Sequence, residues 1–198
     1  QEVMGLARAT ATTVYSIGAG DEIHTVALAD ASTLSSVLIT LPGESVNEGR
    51  GLARRSDGIF FALLVVDGLE TPLLATLDPL TGTAISLGDT GNLFETLAFD
   101  AADTLYAATD DDGTSEQLFT LDTTTAGATL VSDLGAGDHG EAIAFRSTDG
   151  LELLYHLSGN GPPSDPIGGE VFQAFTMMNL DPLVPTILPA GYINANGY

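Results

Sequence analysis

Short apolar runs rich in Leu, Val, Thr, Phe and Tyr follow one another along the chain, separated by clusters of Gly and Asp. That composition belongs to short strands joined by tight turns. From Thr96 the pattern reads TLAFD, a turn at 101–103, TLYAAT, a loop at DDDGTS, EQLFTLD, a turn at TTTAG and ATLVSDL. From Gly51 it reads GLARR, a Ser-Asp-Gly turn, IFFALLVV, an Asp-Gly turn, PLLATLD, a Pro-Leu-Thr-Gly turn and TAISLG. No segment carries a capped apolar stripe of helical period and length, so every element is expected to be a strand. The unbroken run 59–66 reads as a buried central strand and is far shorter than the about 20 residues of a membrane-spanning helix.

The strand groups repeat. An Asp after a small or apolar residue recurs at Asp30, Asp78, Asp122 and Asp181, at spacings of 48, 44 and 59 residues. The longest spacing holds the insertion GNGPPSDPIGG (159–169). A second marker, Leu52, Leu97 and Ile143, recurs after 45 and 46 residues. Four strands and no helix in a unit of this length match one blade of a β-propeller, whereas a β-sandwich needs no such repeat. The expected fold is therefore all-β and β-propeller-like, with about four blades of four antiparallel strands and a 44–50 residue repeat. All 198 residues form one domain in this reading, with repeats at about 5–50, 51–95, 96–141 and 142–190 and a surplus strand at 191–198. The repeated Asp residues are expected to serve the turns, accepting hydrogen bonds from backbone N–H groups one and two residues on.

Composition narrows the partners. The chain is 44% hydrophobic, enough to fold, yet has 27 acidic residues against five Arg, no Lys and a formal net charge of −22. Such a field repels phosphate, which argues against nucleic acid and anionic membrane. Cations, either a divalent metal or a high-salt medium, are the natural counterpart. With no Cys there is no disulfide or thiolate chemistry. Gln1 in place of an initiator Met reads as a mature end left by an export signal, or as the edge of a fragment, and export to the cell surface or beyond is the expectation.

Three groups of residues are candidates for chemistry. Asp110, Asp112 and Glu116 lie in the oxygen-rich stretch TDDDGTSE, which suits Ca²⁺, although an acidic solvated loop explains it too. Arg50, Glu95 and Glu141 each stand two residues ahead of an innermost-strand apolar position, so they are expected near the channel mouth, holding a cation or pairing with one another. The tandem Arg54 and Arg55 are expected to pair with nearby carboxylates. His24, His139 and His156 fall in different repeats, and only His139 sits among acids, beside Asp138 and Glu141. A hydrolase would need a convergent cluster. No nucleophile elbow, zinc-protease motif or phosphate loop is present.

The stretch TLAFDAADTLYAATDDDG (96–113) followed by LFTLDTTTAGATLVSDLG (118–135) resembles the blade repeat of secreted bacterial β-propellers, and the likeness is strongest from Gly51 to Phe145. LDPLTG (77–82) is similar to a turn of quinoprotein blades, but that repeat implies a docking Trp and this chain has none, so no quinone cofactor is expected. The resemblance implies a fold and leaves activity open, since blades of this kind serve binding proteins, adhesins and lactonase-like enzymes.

The repeat count leaves a remainder. MGLAR (4–8) begins the chain as an inner strand, and GYINANGY (191–198) begins another after four blades. The expectation is a non-enzymatic structural or assembly subunit that self-associates through residues 1–8 and 191–198, with Gly191, Tyr192, Ile193 and Tyr198 joining neighbours head to tail into a filament. The competing readings are a ligand-binding or adhesive propeller fragment and a lactonase-like or hydrolase-like enzyme.

Overall fold

The computed structural model describes residues 3–109, 116–135, 142–148, 151–158, 171–176 and 187–188. Among the described residues every regular element is a strand. Sheet I holds β1 (Val3–Arg8), β2 (Thr13–Gly18), β3 (Glu22–Ala27) and β4 (Thr33–Leu38); sheet II holds β5 (Val46–Arg54), β6 (Phe60–Val66), β7 (Leu73–Leu77) and β8 (Ala84–Asp89). Sheet III holds β9 (Phe94–Phe99), β10 (Leu105–Thr109), β11 (Glu116–Leu121) and β12 (Ala128–Gly135); sheet IV holds β13 (Ala142–Thr148), β14 (Leu151–Ser158), β15 (Val171–Thr176) and the two-residue β16 (Ile187–Leu188). Each sheet is an antiparallel meander of one continuous stretch of chain, so the fold is all-β and propeller-like.

The sheets stack face to face, and the sequence pattern shows why. In β6 nearly every residue is buried, because its two faces are covered by different neighbours: Phe60, Ala62 and Leu64 face sheet I, while Phe61 and Leu63 face sheet III. A third core, with Leu118, Leu134, Ile143 and Leu154, lies between sheets III and IV. The rim strand β4 is mostly exposed and correspondingly rich in Ser and Thr.

Innermost strands pack in a row, β1 beside β5, β5 beside β9 and β9 beside β13. Gly51 makes one of these approaches possible, because a Cβ there would fall 2.5 Å from Leu97 N and 2.7 Å from Thr96 C. Between sheets III and IV the same place is held by a bond, Ile143 N–H donating to Thr96 Oγ1 at 3.3 Å. The two ends of the row, β1 and β13, do not pack side by side as their neighbours do. The described residues thus form a fan of four blades with a gap between the first and the last.

The described repeated Asp residues hold turns, each accepting from the amide two residues on as expected, and Asp122 also from the amide three residues on. Asp78 Oδ1 accepts from Leu80 N–H at 2.9 Å, and Asp122 Oδ1 accepts from Thr124 N–H at 2.8 Å and Thr125 N–H at 3.0 Å. Asp30 Oδ1 accepts from Ser32 N–H at 3.0 Å. The bonds therefore reach two and three residues on, since the turn must first curl before an amide points back at the carboxylate. Asp181 lies outside the described residues.

Candidate functional site: the axial channel and the end faces

The four innermost strands line an axial channel that is open at the gap between β1 and β13. At the end where these strands begin, a cavity of about 450 Å³ is lined by Val3, Leu6, Leu52, Glu95, Leu97 and Ile143, among others. Here Arg50 and Glu95 meet: Arg50 Nη1 donates to Glu95 Oε1, and Arg50 Nε donates to Glu48 Oε1 at 3.2 Å. The guanidinium ties β5 to β9 and sits between two carboxylates, and the cluster is partly buried. Glu141, the third residue expected at this mouth, lies outside the described residues.

Glu116, the one expected metal ligand among the described residues, lies against a histidine. It opens β11 at a register shift, and its carboxylate lies 3.0 Å from His156 Nε2 on β14, with both side chains 1% exposed. The pair therefore bridges sheets III and IV in a site closed to solvent. Asp110 and Asp112 lie outside the described residues, as do Asp138, His139, Gly191, Tyr192, Ile193 and Tyr198. No group of three His, Asp or Glu placed to hold a metal ion occurs among the described residues.

Where the strands end, the channel opens into a cavity of about 470 Å³ lined by Leu6, Arg8, Leu52, Arg54, Arg55, Phe99 and Phe145, among others. Among the described residues, one of the tandem arginines pairs with a carboxylate as expected. Arg55 Nη2 lies 2.8 Å from Asp57 Oδ2, and this bond raises its pKa, whereas Arg54 lies over the Phe60 ring, 5.7 Å from its centroid. Strand alternation explains the difference: Arg54 follows Leu52 on the face toward sheet I, and Arg55 turns toward Phe61 on the opposite face.

The end face of sheet I is the largest feature that the sequence did not disclose. Leu6, Leu52, Leu97 and Ile143 occupy equivalent positions on the four innermost strands. Leu52, Leu97 and Ile143 are 3%, 5% and 7% exposed because a preceding sheet covers them, but Leu6 is 60% exposed. Val3, Leu28, Leu34 and Leu38 are also more than half exposed. A small polar pair lies on the same sheet, His24 Nδ1 and Ser36 Oγ at 2.6 Å.

No protein-family model matches the chain, and no curated protein matches it. Solved structures match it in fold. Xyloglucan PUL GH43B of Bacteroides ovatus superposes with a TM-score of 0.64 at 15% identity, covering 94% of this chain and 40% of that one. An auxiliary nutrient binding protein from Bacteroides thetaiotaomicron gives 0.57 at 14% identity, with coverage of 93% and 41%. A gluconolactonase from Xanthomonas campestris gives 0.56 at 16% identity, with coverage of 91% and 60%. This chain thus spans 40% to 60% of the length of these structures. At such identities the likeness shows a propeller fold alone, and the group is mixed, named for enzymes and for binding.

Proposed function

We propose that the chain is a non-enzymatic, extracellular propeller module that works as an assembly subunit, its first sheet receiving the fourth sheet of a second copy head to tail. The observation that carries this reading is Leu6, exposed at a position where the other three sheets bury Leu or Ile. An apolar sheet face left open in this way is a surface for association.

The occupant is argued from the interfaces the molecule already contains. On each sheet the second strand places an aromatic ring one residue before the position opposite the Leu or Ile marker: Tyr15, Phe61, Tyr106 and Tyr155 pair with Ala7, Ala53, Ala98 and Ala144 respectively. Three of these rings meet a ring of the next sheet, Tyr15 with Phe60, Phe61 with Phe99 and Tyr106 with Phe145, with centroids 5.0 to 5.3 Å apart. Tyr155 alternates with Leu154, which packs toward sheet III, so Tyr155 and Leu153 turn to the outward face of sheet IV. On sheet I the counterpart of Phe60 is Val14, which pairs with Arg8 as Phe60 pairs with Arg54. Sheet IV of one copy set on sheet I of the next, its outward face against Val14, repeats the order of sheets seen inside the molecule. The rotation between copies decides whether the result is a closed ring or a filament.

Two acid–base groups at the sheet interfaces are engaged, Glu116 with His156 and Glu95 with Arg50, which favours a structural role for them over hydrolysis. Sedimentation velocity across a concentration series tests the reading. Association that Leu34→Asp abolishes is expected, because this exposed change alters no core contact. A wild-type chain that stays monomeric throughout would sink it. Association that persists in Leu34→Asp but disappears on removal of residues 191–198 would replace sheet docking with strand addition.

A further inference from the structure

We propose that the channel mouth at the ends of the innermost strands binds a small monocarboxylate with a compact apolar body. The placement of positive charge is the starting point. The chain has five Arg and no Lys against 27 acidic residues. All five lie on an innermost strand or directly after one: Arg8 on β1, Arg50 and Arg54 on β5, Arg55 after it and Arg146 on β13. Three of them, Arg8, Arg54 and Arg55, line the single cavity of about 470 Å³ at this mouth, and no Asp or Glu is among its lining residues.

Arg55 is neutralised by Asp57, and Asp103 also acts on it. Arg8 and Arg54 make no ion pair among the described residues, despite the excess of carboxylates. Arg8 Nε donates to Thr10 O at 3.1 Å and its Nη2 donates to Ala11 O at 3.2 Å, which fixes the guanidinium and leaves three of its five N–H groups for a ligand. Arg54 rests on Phe60, a contact that orients the fork without consuming its donors. Each of these guanidinium groups, held in place at the cavity wall, offers a fork suited to a carboxylate.

Leu6, Leu52, Phe99 and Phe145 in the same cavity supply apolar walls, so the ligand carries an apolar body beside its charge. The net charge of −22 disfavours anions of higher valence, which leaves the monoanion as the favoured class.

Benzoate is the probe, with neutral benzamide and inorganic phosphate beside it, followed by calorimetry on the intact chain at low ionic strength. Benzoate is expected to bind, benzamide not to bind and phosphate to bind more weakly than benzoate. Arg8→Gln and Arg54→Gln are each expected to weaken benzoate about tenfold. Far-UV circular dichroism checks that the variants fold. Arg8, exposed at a strand end, carries the test if Arg54→Gln fails to fold. Arg54→Lys keeps the charge and loses the fork, and weaker binding than wild type is expected from it. Equal binding of benzoate and benzamide, unchanged affinity in Arg8→Gln, or phosphate binding tighter than benzoate would each overturn the proposal. Running the same titration on Leu34→Asp separates this site from the association of copies.

Discussion

His156 Nε2 lies 3.0 Å from Glu116 Oε2, and the two side chains, from different sheets, are each 1% exposed. A buried polar pair is costly to break from one side, because the remaining partner stays buried without its counterpart. Glu116→Leu is therefore expected to destabilise the fold by about 3 kcal/mol, while Glu116→Leu combined with His156→Leu should be less destabilised than the sum of the single changes. Denaturant melts of the four proteins check this. Additive losses would show that the two residues act independently.

The Asp turns make stability depend on acid in a predictable direction. Asp78 and Asp122 have pKa values held below the ordinary 3.8, in Asp78 first by the Leu80 backbone N–H and in Asp122 first by the Thr124 hydroxyl. A folded-state pKa below the unfolded one contributes stability that is present above about 3.8 and fades as pH falls through the folded value. Asp122→Ala should accordingly melt below wild type at neutral pH, with the gap in Tm closing below about pH 3.8. Melting curves of both proteins over a pH series decide it, and a gap that stays constant into acid would refute the turn assignment.

Gly51 faces the backbone of the neighbouring strand. Its Ala variant would place a methyl 2.5 Å from Leu97 N, where no side-chain rotation relieves the contact, and a loss of about 1–3 kcal/mol is expected. Gly127→Ala serves as the comparison, since its methyl would meet first the Thr125 hydroxyl, at 3.3 Å. Comparable melting temperatures for the two variants would contradict the tight packing of β5 on β9.

These contrasts show what the chain could and could not disclose. The run 59–66 and the turns at Asp78 and Asp122 were legible because their causes are local: an unbroken apolar strand, and a carboxylate within reach of its own amides. The Glu116–His156 pair was not, because its members stand 40 residues apart on different sheets and meet only after stacking. The strand pattern does place His156 on the same face as Leu154, which was the signal available. The open end face was hidden for another reason. GLAR at 5–8 and GLAR at 51–54 are the same four residues, yet Leu6 is exposed and Leu52 buried, because the difference resides in the neighbouring sheet.

That difference supports the central claim, and the absence of native Cys makes it directly testable. Val14→Cys and Tyr155→Cys chains are each prepared and then mixed under mild oxidation. Head-to-tail docking of sheet IV on sheet I predicts a disulfide-linked dimer in the mixture, joining one Val14→Cys chain to one Tyr155→Cys chain, and little linkage in either chain alone. No linkage in the mixture, or efficient linkage of Val14→Cys with itself, would contradict it.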